Sequence, residues 1–153
     1  MGCDIHAYVE TRTNGTWAYA GDNTFPDNEF PKEKQCPFDG ARDYGLFGFL
    51  ADVRNYSESP VIAEPRGLPA DVSAEVRAKS DDWNVDGHSH TWLTLAELLA
   101  FDYDQTFADQ RGDGEPQVKT VRGFLHDWYF GRLDLLAKLG APEDVRIVFW
   151  FDN

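Results

Sequence analysis

Asp4 and His6 stand two residues apart in an alternating segment. On a β-strand the carboxylate and the imidazole then leave the same face and can converge on one ion. Glu10 shares that face further along. A second set follows at Asp86-Gly87-His88-Ser89-His90, where an extended chain puts both histidines on one side and Asp86 shares their parity. The chain has four histidines, and three of them fall in these two clusters. Asp4, His6, His88 and His90 together make an N/O donor set suited to zinc, manganese or iron. Such a divalent metal would lower the pKa of a bound water and generate hydroxide. Asp86 or Glu10 would act as general base, or would orient a ligand imidazole. The competing reading is structural: Asp4 orients His6 through a hydrogen bond, and the second cluster is a glycine-bearing loop with exposed histidines.

A different chemistry is open to the arginines. Arg42, Arg54, Arg66 and Arg77 fall in or beside the central loops, and the planar guanidinium suits phosphate oxygens. Arg54-Asn55-Tyr56 leaves a helix, and Arg66-Gly67-Leu68-Pro69 makes a tight loop. Trp17, Tyr44, Trp83 and Trp92 offer faces on which a base could stack. Arg54, Arg66, Trp17 and Trp92 are therefore the expected contacts of a nucleotide-sized or phosphorylated ligand. Against this, each arginine has surplus carboxylates to pair with. No Walker A, GxGxxG, GxSxG, CxxC or HExxH pattern occurs. Cys3 falls on the face opposite His6 and reads as a small buried apolar residue. His126, beside Asp127, belongs on a solvated helix face. Asp152 reaches the Asp4/His6 face if the last strand pairs beside the first.

The elements that would position these residues follow from periodicity. Cys3, Ile5, Ala7 and Val9 alternate with Asp4, His6, Tyr8 and Glu10, and Asn14-Gly15 supplies the turn of a hairpin. In that register Arg12 faces Trp17 and Glu10 faces Tyr19. Both aromatics then sit on the polar face, which implies that something covers it. Residues 21–42 and 55–70 read as proline-bearing loops. Asp43 is expected to cap a helix carrying Leu46, Phe47, Leu50 and Val53, and Asp71 a shorter one through Lys79. Ser80 to His90 reads as extended. Thr94-x-x-Glu97 is a capping box leading into Leu95, Leu98 and Leu99. An acidic loop, Asp102 to Pro116, precedes the longest helix, which Gly140 and Pro142 end. Val145 to Phe151 is dense in β-branched and aromatic residues and is expected in the middle of a sheet. The expected fold is one α+β domain over 1–153, with the N-terminal hairpin and the C-terminal strand in one sheet packed by helices and joined by long ordered loops.

At 153 residues and 42% apolar content the chain can build a core. Its 14 Lys+Arg against 27 Asp+Glu leave a formal charge of −13. That balance argues against long nucleic acid and against an anionic membrane surface as partners. No apolar run approaches the ~20 residues of a membrane span. The start, MGCDIHAYVE, has neither a basic n-region nor an apolar h-region, and position 6 is His where a myristoylation pattern wants Ser or Thr. Two cysteines are too few for a disulfide framework. A reduced, cytoplasmic protein is the expectation.

At MGCDIHAYVE, RDYGLFGFLADVRN, PRGLPADVS, HSHTWLTLAEL and RIVFWFDN the chain resembles a family of small proteins encoded by bacteriophages and prophage-bearing bacteria. The resemblance implies an accessory protein made in a bacterial host cell, and it carries no catalytic residue with it. Two functions follow as expectations. One is a metal-supported pocket for a nucleotide-derived or phosphorylated ligand, extending to a metal-dependent hydrolase. The alternative is a non-catalytic anti-defence protein that sequesters a nucleotide signal or blocks a host defence protein, and a homo-oligomer would help it form a deep pocket between subunits.

Overall fold

Seven consecutive buried residues, Val145 to Phe151, can be satisfied only in the interior of a sheet. In the computed structural model, which describes residues 2–153, they form strand β6. Its neighbours are β1 (Ile5–Thr13) on one side and β3 (His88–Thr94) on the other, and β2 (Thr16–Tyr19) lies outside β1. All three pairings are antiparallel. The hairpin has the expected register, Arg12 opposite Trp17 and Glu10 opposite Tyr19. Asn14 and Gly15 both turn at positive φ, 52° and 78°.

The two sheet faces are covered differently. Ile5, Ala7, Val9, Leu93, Ile147, Phe149 and Phe151 pack into the main core. Over them lie α1 (Tyr44–Ala51), α3 (Leu95–Ala100) and α4 (Val121–Ala137). On the opposite face Tyr8, Val148 and Trp150 pack with Val76, and Trp83 leans on the same group. Those last two belong to α2 (Ala74–Trp83), so the polar face of the hairpin is indeed roofed. The result is a single α+β domain, and among the described residues no helix is long and apolar enough to cross a membrane.

The caps explain where the helices start. Asp43 accepts from the amides of Gly45 and Leu46 and opens α1. Thr94 and Glu97 satisfy each other's backbone amides in a full capping box before α3. Asp71 does not cap α2; Ser73 does, and its side chain accepts from the Val76 amide. Asp71 is drawn away by an arginine from β6. The stretch expected to be extended from Ser80 is helical to Trp83 and then makes a 3-10 turn, Asn84–Asp86. The acidic loop before α4 contains β4 (Thr106–Asp109), which pairs with β5 (Gln117–Thr120) as a separate two-stranded ribbon. The loop after the hairpin is tied to β1 by Asp39. It accepts from the Ala7 amide and from Gln35 Nε2, and burial pushes its carboxyl up to about 6.

Helix α4 is not continuous. His126 sits at φ 64°, ψ 170° inside it, a region that costs a residue with a side chain about 1–3 kcal/mol. Replacing His126 by Gly is expected to raise stability by about 1 kcal/mol, or Tm by about 2–4 °C. His126→Ala keeps the strained backbone and should give no such gain. Thermal unfolding of the three proteins side by side checks this, and an Ala variant as stable as the Gly variant would disprove the strain.

Candidate ligand-binding site

A carboxylate and a guanidinium meet at the centre of the roofed sheet face. Glu10 on β1 and Arg146 on β6 are register partners, and both are buried, at 0% and 2% exposure. Arg146 Nε donates to Glu10 Oε1 at 2.8 Å, and Nη2 lies 2.7 Å from the same oxygen. Glu10 Oε2 accepts from the Ser73 amide at 2.8 Å. Arg146 Nη1 donates to Asp71 Oδ1 at 2.9 Å, and Nη2 reaches the Asp71 carbonyl at 3.4 Å. The pair thus pins the start of α2 and the loop before it to the sheet. Burying such charges is tolerable only because their polar atoms are this well satisfied.

Around this centre guanidinium groups and indoles alternate. The Arg146 guanidinium carbon lies 4.1 Å from the Trp17 ring centroid and 5.7 Å from that of Trp92. Arg12 stacks on Trp17 at 5.0 Å and Arg66 on Trp92 at 4.8 Å. Beside the row opens a cavity of about 660 Å³. It is lined by Trp17, Trp92, Arg146, Thr94, Pro69-Ala70-Asp71, Arg12 and the exposed Glu143. Its size is that of an ordinary small-molecule pocket. Arg12 is held at the rim by Asp144 at 2.8 Å and by the Glu143 carbonyl.

Two of the four expected ligand contacts, Trp17 and Trp92, therefore line one cavity. Arg66 braces Trp92 from behind. It is engaged by both Glu97 oxygens and by the Trp92 carbonyl, and the Arg66 guanidinium holds Glu97 below the usual carboxylate range. Arg54 lies elsewhere, stacked on Tyr44 and bonded to Asn153. Arg12 and Arg146 were not among the expected contacts. The signal for Arg146 was its position, a lone charge in the apolar run Val145–Phe151.

The four residues expected to share a metal are dispersed. Asp4 faces Arg42, which donates from Nε and Nη2 at 2.7 and 2.8 Å and holds the carboxyl below its ordinary value. His6 is bonded through Nε2 to Asp152 Oδ2 at 2.9 Å and lies 4.0 Å from Trp83, ring to ring. Asp152, whose other oxygen accepts from the Asp4 amide, thus takes the orienting role expected of Asp4. His88 and His90 do not share a side. His88 pairs with Phe151 but Thr91 with Phe149, so β3 carries an extra residue, and Ser89 sits at φ 56° in that bulge. His88 consequently stacks on Phe151, in the main core, and His90 on Trp150, on the other face. Burial and the neighbouring His88 lower the pKa of His90. Among the described residues, no three His, Cys, Asp or Glu side chains are grouped to hold a metal ion.

The two expected bases are also displaced from that role. Asp86 is exposed in the 3-10 turn, and Glu10 is committed to Arg146 and Ser73. Cys3 is buried in the main core as expected, and burial pushes its thiol up. Asp152 does reach His6, because β6 pairs beside β1.

Two measurements follow from this arrangement. Glu10→Gln or Arg146→Met alone should each cost about 3–5 kcal/mol in urea unfolding, because each strands a buried charged partner. The double variant should cost clearly less than their sum, and strict additivity would show that the two are uncoupled. Elemental mass spectrometry of the purified protein should find no zinc or manganese ion whose retention depends on both His6 and His88. One ion per chain, lost in His6→Ala and in His88→Ala alike, would show that the segment rearranges around a metal.

No family model, curated protein or solved structure matches the chain.

Proposed function

We propose that the protein is a non-catalytic binder of a small flat ligand of nucleotide type, seated in the cavity beside the Trp17–Arg146–Trp92 row. The carrying observation is the pocket itself: two indoles separated by a buried guanidinium, beside a cavity of about 660 Å³. The half-buried Trp92 offers a surface to a planar ring, and the few polar groups at the rim set its orientation. The Glu10–Arg146–Asp71 network holds both indoles and the Pro69–Asp71 side in place before any ligand arrives, which lowers the ordering cost of binding. In the bacteriophage setting that the sequence motifs imply, such a protein would act in the host cell by sequestering a nucleotide-derived signal.

A metal-dependent hydrolase is the second reading, and the Asp152–His6 hydrogen bond is the observation in its favour. A carboxylate that fixes one imidazole nitrogen leaves the other free to take a proton or a metal.

Denaturing protein purified directly from its natural host and identifying the released small molecules by mass spectrometry tests the first reading. A flat heterocycle should be released unchanged from the wild type and be absent from Trp92→Ala. A ligand retained equally by Trp92→Ala would place binding elsewhere, and a chemically converted ligand would favour the hydrolase.

A further inference from the structure

The rim of the Trp17–Trp92 cavity is set against anions, although two arginines line it. Arg146 donates to Glu10 and Asp71 from Nε, Nη1 and Nη2. Arg12 spends Nε on Asp144 and Nη2 on the Glu143 carbonyl. Two guanidinium groups, Arg12 and Arg146, and two carboxylates, Asp71 and Glu143, line the cavity, and both guanidinium groups are already engaged by carboxylates of the protein, Arg12 by Asp144 and Arg146 by Glu10 and Asp71. Asp71 gives one oxygen to Arg146 and has a side chain 65% exposed. Glu143 is exposed at the rim. Both offer acceptors to an incoming group, in a protein whose formal charge is already −13. A phosphate entering here would meet the free oxygens of Asp71 and Glu143, and guanidinium groups already neutralised by the protein's own carboxylates. A ring bearing N–H groups would find the Trp92 indole, which is only half-buried, beside it and the carboxylate acceptors of Asp71 and Glu143 at its edge, which is the pairing carboxylates make with amino-bearing bases.

We infer that the cavity takes an unphosphorylated, N–H-bearing heterocycle, a nucleobase or nucleoside, in preference to its phosphorylated form. This rests on the binding reading above and narrows its ligand class. Glu143 is the specificity-determining residue, because its carboxylate stands at the mouth and carries no structural hydrogen bond through that carboxylate.

Calorimetric titration of the full chain with the four ribonucleosides and their four 5′-monophosphates tests this. At least one nucleoside should bind about tenfold or more tighter than its own monophosphate. Glu143→Gln should weaken that nucleoside and shrink the preference, while leaving the fold intact because the residue is exposed. Trp92→Ala should abolish binding of both forms. A monophosphate that binds as tightly as its nucleoside, or more so, and is lost in Trp92→Ala overturns the selectivity but leaves the pocket standing. Binding that survives Trp92→Ala overturns the pocket as well. If none of the eight compounds binds, the nucleoside assignment falls, and the native-ligand extraction judges the binding reading separately.

Discussion

A buried arginine in a β-strand is a liability unless every element near it is arranged to satisfy it, and Arg146 imposes that condition here. Glu10 must face it across the sheet, Asp71 must leave its expected role as a helix cap to reach it, and Ser73 must take over that cap while its amide serves Glu10. The loop 65–73 therefore has one place to go, and its position closes one side of the cavity. Trp17 and Trp92 are held by the same guanidinium. Charge, cap and pocket wall are consequences of one requirement for hydrogen-bond satisfaction.

Much of the fold was legible in the chain because its signals are local and redundant. Alternation and Asn14-Gly15 specify the hairpin and its register, Asp43 and the Thr94/Glu97 box specify two helix starts, and the apolar density of 145–151 specifies the central strand. The covered polar face was legible too, from two aromatics placed opposite Arg12 and Glu10. What escaped was set by distant partners. Asp71 and Ser73 are both good caps, and only the position of Arg146 chooses between them. The ribbon of β4 and β5 escaped because its strands are short and its turn lies in a run of Asp, Glu and Gly that reads as loop.

The site was half legible. Trp17 and Trp92 could be named from residue type, since buried indoles beside arginines make stacking surfaces whatever the fold. The four residues expected to share a metal are kept apart by several contacts, Arg42 on Asp4, Asp152 on His6 and a bulge between the other two. Parity places His88 and His90 together only if the strand is regular, and the bulge at Ser89 inserts one residue and sends them to opposite faces. Bulges are not marked by any composition rule when the residue at positive φ is Ser rather than Gly. The arginines expected to seek phosphate, Arg54 and Arg66, are engaged by the protein's own groups, and for Arg66 the reason is general. In a chain with about twice as many acids as bases, carboxylates of the protein itself are the nearest anions.

The central position of β6 also orders the steps by which the chain can reach its native state. Glu10 finds Arg146 across a sequence separation of 136 residues, so the sheet is closed by one of its most distant contacts rather than by neighbours. The hairpin of β1 and β2 is synthesised before β6, but a lone two-stranded hairpin is marginal in water. Until β6 arrives, Glu10 lacks its counter-charge and Trp17 has Arg12 but not Arg146 against it, and both hairpin faces lie open. The loop-closure entropy of the whole chain has to be met before those contacts reward it. Folding is therefore slow relative to a helical domain of this length, and the nascent hairpin is the segment exposed longest to the wrong partners.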